Sequence, residues 1–279
     1  MADLLNSDDA SIDSAGGGIA QRLSQRLNRY WRVVATGISF LLFGFGGLVL
    51  RIVIFPILNL MILERNARVR VSRYVIRRAF RGFVEVMRCL GVLRYEVRGL
   101  ERLERQGLLI LANHPTLIDT IFLMAFVKQA DCIVKSQLWR NPFTGGPVRA
   151  ADYISNDDSV ELIDDCIASL KAGNNLIIFP EGTRTAENGA ISLKRGAANV
   201  AVRSMANVTP VVIHCAPPTL HKGKKWWQVP NVIAHFKIEV KQDIEIAEIV
   251  AEAGNESLAA RRLTAYLQDY FKNEISINI

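Results

Sequence analysis

The rhythm of hydrophobic and polar positions changes three times along the chain. From Val33 to Leu50 eighteen residues carry no charge, and after Arg51 the apolar run resumes as "IVIFPILNLMIL". Through "NARVRVSRYVIRRAFRGFVEVMRCLGV" apolar residues recur three or four apart. Ile76, Phe80, Phe83, Val84 and Met87 form one stripe, while Arg73, Arg77, Arg78, Arg81 and Arg88 populate the remainder. That spacing predicts a basic amphipathic helix, lying along anionic headgroups or forming a solvated face of the globular part. Beyond Gly91 the runs shorten. "GLLILANH", "CIVKS", "DYIS", "NLIIFPEG", "TPVVIH" and "VIAHFKIEV" read as strands, mostly of the buried type. Helical patterns intervene at about 116–128, 157–172, 192–206 and 257–273. This alternation predicts an α/β fold, a largely parallel central sheet flanked by helices, preceded by an N-terminal helical membrane anchor.

Eighteen uncharged residues reach roughly 27 Å as a helix, the lower edge of a membrane span. A buried helix of a soluble core has similar composition, but the flanks favour a bilayer. Four arginines (Arg22, Arg26, Arg29, Arg32) and the pair Tyr30–Trp31 precede the run, and seven arginines lie between Arg65 and Arg81. Basic residues on both sides predict that both flanks stay on the cytoplasmic face. Gly44, Gly46, Gly47 and Pro56 are candidate breaks that would turn the run into a monotopic hairpin; a single N-terminal transmembrane helix is the alternative. Residues 1–20 carry four aspartates, no Lys or Arg and the run "AGGG", and are expected to be a disordered tail. The expected divisions are thus 1–20, an anchoring helical region at 21–90, and an α/β domain at 91–279.

Charge narrows the function classes. The formal net charge is +7 with a pI near 9.4, which suits an anionic membrane surface or nucleic acid. The arginines crowd beside the apolar run instead of interleaving with aromatics on a separate face, so no nucleic-acid partner is expected. Cys89, Cys132, Cys166 and Cys215 are far apart in apolar contexts without metal-ligand spacing. Buried free thiols, with neither disulfides nor structural zinc, are expected.

Two segments carry candidate chemistry. In "LANHPTLIDT" His114 follows a buried run and precedes Pro115, a favoured first helical residue. Five residues within one helix would set His114 and Asp119 about 140° apart. With His114 just outside the helix, the carboxylate can reach the ring, fix its tautomer and support an imidazolium. On spacing alone, a satisfied core histidine fits as well. In "NNLIIFPEGTR" an apolar strand delivers Glu181, Gly182, Thr183 and Arg184 at its C-terminal end, where open α/β sheets hold ligands. Gly182 allows close approach and Arg184 suits a phosphate or carboxylate; an ordinary surface turn with a solvated Glu–Arg pair is the alternative. Lys135 ends the strand "CIVK", and Lys194 and Arg195 precede an Ala-rich helix. Each fits an anion contact or a solvated position.

Together, "NHPTLID", matching Asn-His-x4-Asp, and "FPEGTR", about 65 residues later, resemble the glycerolipid acyltransferases of the 1-acylglycerol-3-phosphate acyltransferase family. "LKRGAANVA" and "VTPVVIHCAPP" are also similar, and the resemblance covers roughly residues 99–218. It implies a membrane-associated O-acyltransferase of phospholipid biosynthesis, passing a fatty acyl group from acyl-ACP or acyl-CoA to the hydroxyl of a lysophospholipid such as 1-acylglycerol-3-phosphate. His114 would be the general base and Asp119 its orienter. Glu181 and Arg184 would position the acceptor head, Gly182 would allow its approach, and backbone amides near His114 would serve the oxyanion. No metal or cofactor is implied beyond the donor thioester; the partners implied are membrane lipids and acyl carrier protein or coenzyme A thioester. Family members often carry an arginine at the end of a short strand between the two motifs, associated with gripping the acceptor's phosphate. Here "GGPVRAADYISNDD" places Asn156 or Asp157 there, with Arg149 as the nearby cation. The same chemistry on a different specialised lipid acceptor, or a non-catalytic lipid-binding membrane adaptor, are the alternatives.

Overall fold

The computed structural model describes residues 6–156, 161–186 and 189–276, with side chains from Arg26 onward. Helix α1 (Asn6–Val49) passes through a π turn (Leu50–Ile54) into α2 (Phe55–Met61), and the chain reverses over 62–64 into α3 (Arg65–Cys89). There follow β1 (Leu93–Arg98), a 3-10 turn, β2 (Leu109–Ala112), α4 (Asp119–Phe126), β3 (Ala130–Val134), α5 (Ser136–Arg140), α6 (Gly145–Ala150) and β4 (Ile154–Ser155). The chain continues with α7 (Leu162–Lys171), β5 (Asn175–Ile178), α8 (Gly196–Ser204), β6 (Val208–Ala216), β7 (Ala234–Val240), α9 (Ala247–Ala253) and α10 (Glu256–Ser276). The strands form one sheet in the order β1-β7-β6-β2-β5-β3-β4, parallel at every junction except β6–β7. This is the largely parallel, helix-flanked α/β architecture that the alternating runs predict.

Period-two alternation divides the buried runs between the two faces of the sheet. Ile110, Ala112, Ile177, Val211 and Ile213 point into a core shared with α3 and α4. Leu109, Leu111, Leu176, Ile178 and Val212 point the other way, under α7, α8 and α10. One strand is absent from the sequence reading. β1, "LRYEVR", interleaves Arg94, Glu96 and Arg98 with apolar positions because it is an edge strand paired with β7 alone.

The N-terminal region differs from expectation in three ways. The apolar run does not break at its glycines: the helix is continuous from Arg26 to Met61, long and apolar enough to cross a membrane by length and composition. Gly47 serves close packing instead, since a Cβ there would overlap the Phe143 carbonyl. Pro56 is accommodated by the π turn, in which the Phe55 amide bonds the Leu50 carbonyl, and the reversal comes at residues 62–64. Second, the apolar stripe of α3 lies against protein rather than headgroups. Ile76, Val84 and Met87 are buried in the sheet core, and Arg73 is buried with them, donating to Asp131 at 2.8 Å and to the Ala151 carbonyl. The same core takes in Ala35 and Phe55, so the described residues of the 21–90 region share a core with the sheet. Third, the backbone of the expected disordered tail is helical from Asn6 as part of α1; residues 1–5 lie outside the described residues. All four cysteines are free. Cys132 and Cys166 are buried as expected, whereas Cys89 is exposed at the end of α3.

Candidate active site

Adjacent parallel strands bring the two motifs together. β2 pairs with β5 in the register Leu111↔Ile178, so Asn113–His114 and Phe179–Glu181 leave the sheet side by side at its C-terminal edge. β6 flanks β2 on one side, and β3 flanks β5 on the other. That edge therefore also carries the loop after β6, and Lys135 after β3. Asn113 fixes the exit of β2: its side chain donates to the Ile213 carbonyl and accepts from the Ile213 amide, both at 2.8 Å.

His114 is held from four directions. Its Nδ1 lies 2.9 Å from Asp119 Oδ2. Its amide donates to Glu181 Oε1 at 2.9 Å, and its carbonyl accepts from the Thr185 amide at 2.8 Å. The Phe179 ring stacks on the imidazole, with centroids 4.2 Å apart and planes 25° from parallel. Helix α4 begins at Asp119 itself, so His114 stands outside the helix and the 140° separation does not arise. Nε2 makes no hydrogen bond among the described residues.

Asp119 is fully buried. Thr116 donates to it twice, from its amide to Oδ2 at 2.6 Å and from its hydroxyl to Oδ1 at 2.5 Å. Burial pushes the Asp119 carboxyl above the usual carboxylate range, and the hydrogen bonds from His114 and Thr116 oppose that shift. Burial likewise raises Glu181, against the His114 amide and the Thr185 hydroxyl, which donates to Oε1 at 2.9 Å.

The remaining candidates fall at the same edge with differing engagement. Glu181 is buried and faces the main chain of His114, so its geometry clamps one motif to the other. Gly182 has φ of +67°, and a Cβ there would meet the Lys194 side chain at 3.1 Å, so glycine gives the lysine room at the turn. Lys194 is fastened by its amide to the Pro180 carbonyl at 2.8 Å. Arg184 Nη1 donates to the Leu220 carbonyl at 3.1 Å, and the Leu117 amide donates to the same oxygen at 3.0 Å. Thr183 and Lys135 are exposed. β4 pairs with β3 through Val134↔Ser155, and the Asn156 amide donates to the Val134 carbonyl at 2.8 Å. Lys135 therefore neighbours Asn156, the described one of the two positions where the family arginine is expected; Asp157 lies outside the described residues. Arg149 spends Nη1 on the Trp139 carbonyl at 2.7 Å.

The amides from His114 to Ile118 do not form the oxyanion donors expected there. Glu181, Asp119, Leu220 and the Thr116 hydroxyl accept from residues 114, 116, 117 and 118 in turn, and Pro115 has no N–H. Single-residue reading also passed over Phe179, Thr116 and Thr185, although all lie within or beside the quoted motifs. No periodicity marks a residue whose task is to stack on or hydrogen-bond a neighbour in the fold.

Residues 94–214 match the family model described as acyltransferase. A 1-acyl-sn-glycerol-3-phosphate acyltransferase of Pseudomonas aeruginosa is 29% identical over 164 residues, which cover 56% of this chain and 60% of that protein. One of Helicobacter pylori is 33% identical over 113 residues, 38% of this chain and 47% of the relative. The chain thus matches about half the length of these curated relatives. The crystal structure of the 1-acyl-sn-glycerophosphate (LPA) acyltransferase PlsC from Thermotoga maritima shares the fold, with a TM-score of 0.62 at 20% identity, covering 87% of this chain and 97% of that one.

Proposed function

We propose, from the match of residues 94–214 to the acyltransferase family model, that the protein is a membrane-associated O-acyltransferase of lipid biosynthesis, and that it acylates the free hydroxyl of a lysophospholipid of the 1-acylglycerol-3-phosphate type. The observation that carries this reading is the His114 Nδ1···Asp119 Oδ2 contact of 2.9 Å, with Nε2 left for a substrate proton. The curated relatives named above act, by name, on that acceptor.

In this mechanism Nε2 takes the proton of the acceptor hydroxyl as its oxygen attacks the thioester carbonyl of acyl-ACP or acyl-CoA. An O–C bond forms, the C–S bond breaks, and the thiolate leaving group takes the proton back from the imidazolium. Asp119 keeps Nδ1 protonated and balances the transient positive charge. The nucleophile belongs to the substrate, so no acyl-enzyme intervenes. With the amides at His114–Ile118 engaged, Arg184 and Lys194 are the cations assigned to the oxyanion and the acceptor phosphate. Lys135 is assigned to the phosphate as well, from its place beside Asn156.

Membrane association rests on α1, the π turn and α2. Their exposed side chains include Leu41, Phe45, Ile52 and Leu60, an apolar surface that water does not favour and acyl chains do. Ala35 and Phe55, toward the two ends of the run, enter one sheet core. The helix therefore lies along the interface with both flanks on one side, the cytoplasmic one by the charge rule, and a lipid acceptor reaches the site from that interface.

The test is acyl transfer by detergent-solubilised protein, with labelled acyl-ACP and acyl-CoA offered to lysophosphatidic acid and to a panel of other lysolipids, beside His114→Ala. Label entering lysophosphatidic acid and lost in the variant is expected. Transfer to another acceptor alone would keep the chemistry and replace the substrate. Transfer that survives in folded His114→Ala would overturn the mechanism.

A further inference from the structure

We propose that the loop between β6 and β7, residues 217–233, is a second membrane contact that docks onto anionic phospholipid headgroups and holds the His114 edge of the sheet against the bilayer. This rests on the membrane reading of α1 given above, and extends it to a surface outside that helix.

The first observation is chemical. Within "PPTLHKGKKWWQVPNVI" stand Lys222, Lys224 and Lys225, and no acidic residue occurs from Asn188 to Ile238. Trp226, Trp227 and Val232 are 42%, 46% and 61% exposed. Adjacent exposed tryptophans beside lysines form an unusual surface in water. At a bilayer interface it is a favourable one, with rings at the headgroup level and ammonium groups among the phosphates.

The second observation is position. Trp226 packs edge-on against Phe40 of α1, with ring centroids 6.2 Å apart, and a Cβ on Gly37 would touch its outer ring atoms at 3.4 Å. The Arg32 guanidinium donates to the Asn231 carbonyl. The loop is therefore fastened to α1 between Arg32 and Phe40. The uncharged run begins at Val33, and those eight residues span about 12 Å along the helix. The patch therefore borders the start of the uncharged run, beside the exposed Val34, Leu41 and Leu42. Trp227 stands at 88° to Trp226 with centroids 5.5 Å apart, and Lys225 Nζ lies 5.0 Å from the Trp227 ring, so the aromatic pair and its cation are pre-organised as one patch.

The third observation joins the patch to the site. The loop leaves β6 through Leu220, whose carbonyl accepts from both Arg184 and Leu117. One short segment thus links the acyl-transfer motifs, the basic aromatic patch and the apolar helix. An acidic soluble protein, such as an acyl carrier protein, also suits lysines. The exposed tryptophans and their continuity with the apolar face of α1 favour the bilayer.

The test uses the full chain reconstituted into vesicles containing lipids brominated near the headgroups. The natural tryptophans are Trp31, Trp139, Trp226 and Trp227. A Trp31→Phe/Trp139→Phe protein reports the loop. A Phe45→Trp protein with all four natural tryptophans changed to Phe reports the helix, since Phe45 is exposed in mid-run. Loop emission is expected to fall roughly twofold or more in phosphatidylglycerol-containing vesicles, and the Lys222→Ala/Lys224→Ala/Lys225→Ala variant to lose about half of that quenching. Helix emission is expected to be quenched in neutral and anionic vesicles alike. An unquenched loop beside a quenched helix would overturn this inference and leave the membrane reading standing. Absence of quenching in both would overturn both. Loop quenching indifferent to the three lysines and to anionic lipid would overturn the headgroup assignment. A loop emission that responds to acyl carrier protein and not to vesicles would give the surface to a protein partner instead.

Discussion

The Glu181 carboxylate accepts a hydrogen bond from the backbone amide of His114 at 2.9 Å, so the second motif holds the first by its main chain. A buried Oε1 shared between that amide and the Thr185 hydroxyl works as a clamp between two loops.

Glu181→Ala leaves the His114 amide without its acceptor and is expected to destabilise the fold by about 1–3 kcal/mol, with a fall in kcat. Glu181→Gln retains an acceptor oxygen and should stay near wild type in Tm and kcat. Thermal melts beside transfer kinetics check this. A Gln variant with unchanged Tm and a strongly raised acceptor KM would show instead that the carboxylate handles the substrate.

Asp119→Asn should preserve the fold and lower kcat roughly 10³–10⁴-fold, because an amide neither selects the Nδ1–H tautomer nor balances an imidazolium. Acceptor and donor KM should change little. A fall of less than tenfold would remove Asp119 from its orienting role.

Burial raises both Asp119 and Glu181. Their folded forms hold protons that the unfolded chain releases, so their contribution to stability is present below the unfolded carboxylate pKa of about 4 and is lost as pH rises through the folded values. Asp119→Asn/Glu181→Gln removes that loss. The Tm of the double variant relative to wild type should therefore rise as pH increases above about 4. A pH-independent difference would rule out burial as the dominant influence on these carboxyls.

Arg73 and Asp131 form an ion pair of 2.8 Å, each side chain 4% exposed, and the Ser169 hydroxyl donates to the same Asp131 oxygen. Burial raises the Asp131 carboxyl despite the guanidinium beside it. Arg73→Met should cost about 3–5 kcal/mol by leaving that carboxylate unpaired, and Arg73→Met/Asp131→Leu should recover part of the loss. Denaturant unfolding of the four proteins measures the coupling. Strict additivity would mean that the pair does not hold α3 to the sheet.

Lys135→Ala should raise the KM for a phosphate-bearing acceptor roughly tenfold with kcat nearly unchanged, the signature of lost ground-state binding. An acceptor without a phosphomonoester should be indifferent. Equal effects on both would return Lys135 to a solvated position.

What the sequence determined by itself was local. Short apolar runs and helical spacings announced the alternating elements, because burial on a strand or helix face imposes its period directly on the chain. The union of "NHPTLID" with "FPEGTR" likewise marked the candidate site. The tertiary structure decided what depends on neighbours distant in sequence. It set β2 beside β5, and so Glu181 on the His114 amide and Phe179 on its ring. It turned the stripe of α3 inward and buried Arg73, since a basic amphipathic helix has the same pattern whether its apolar face meets lipid or protein. It also occupied the amides that the motif had left for an oxyanion. Periodicity records how much of a residue is removed from water, but the partner that removes it is chosen only when strands pair and faces pack.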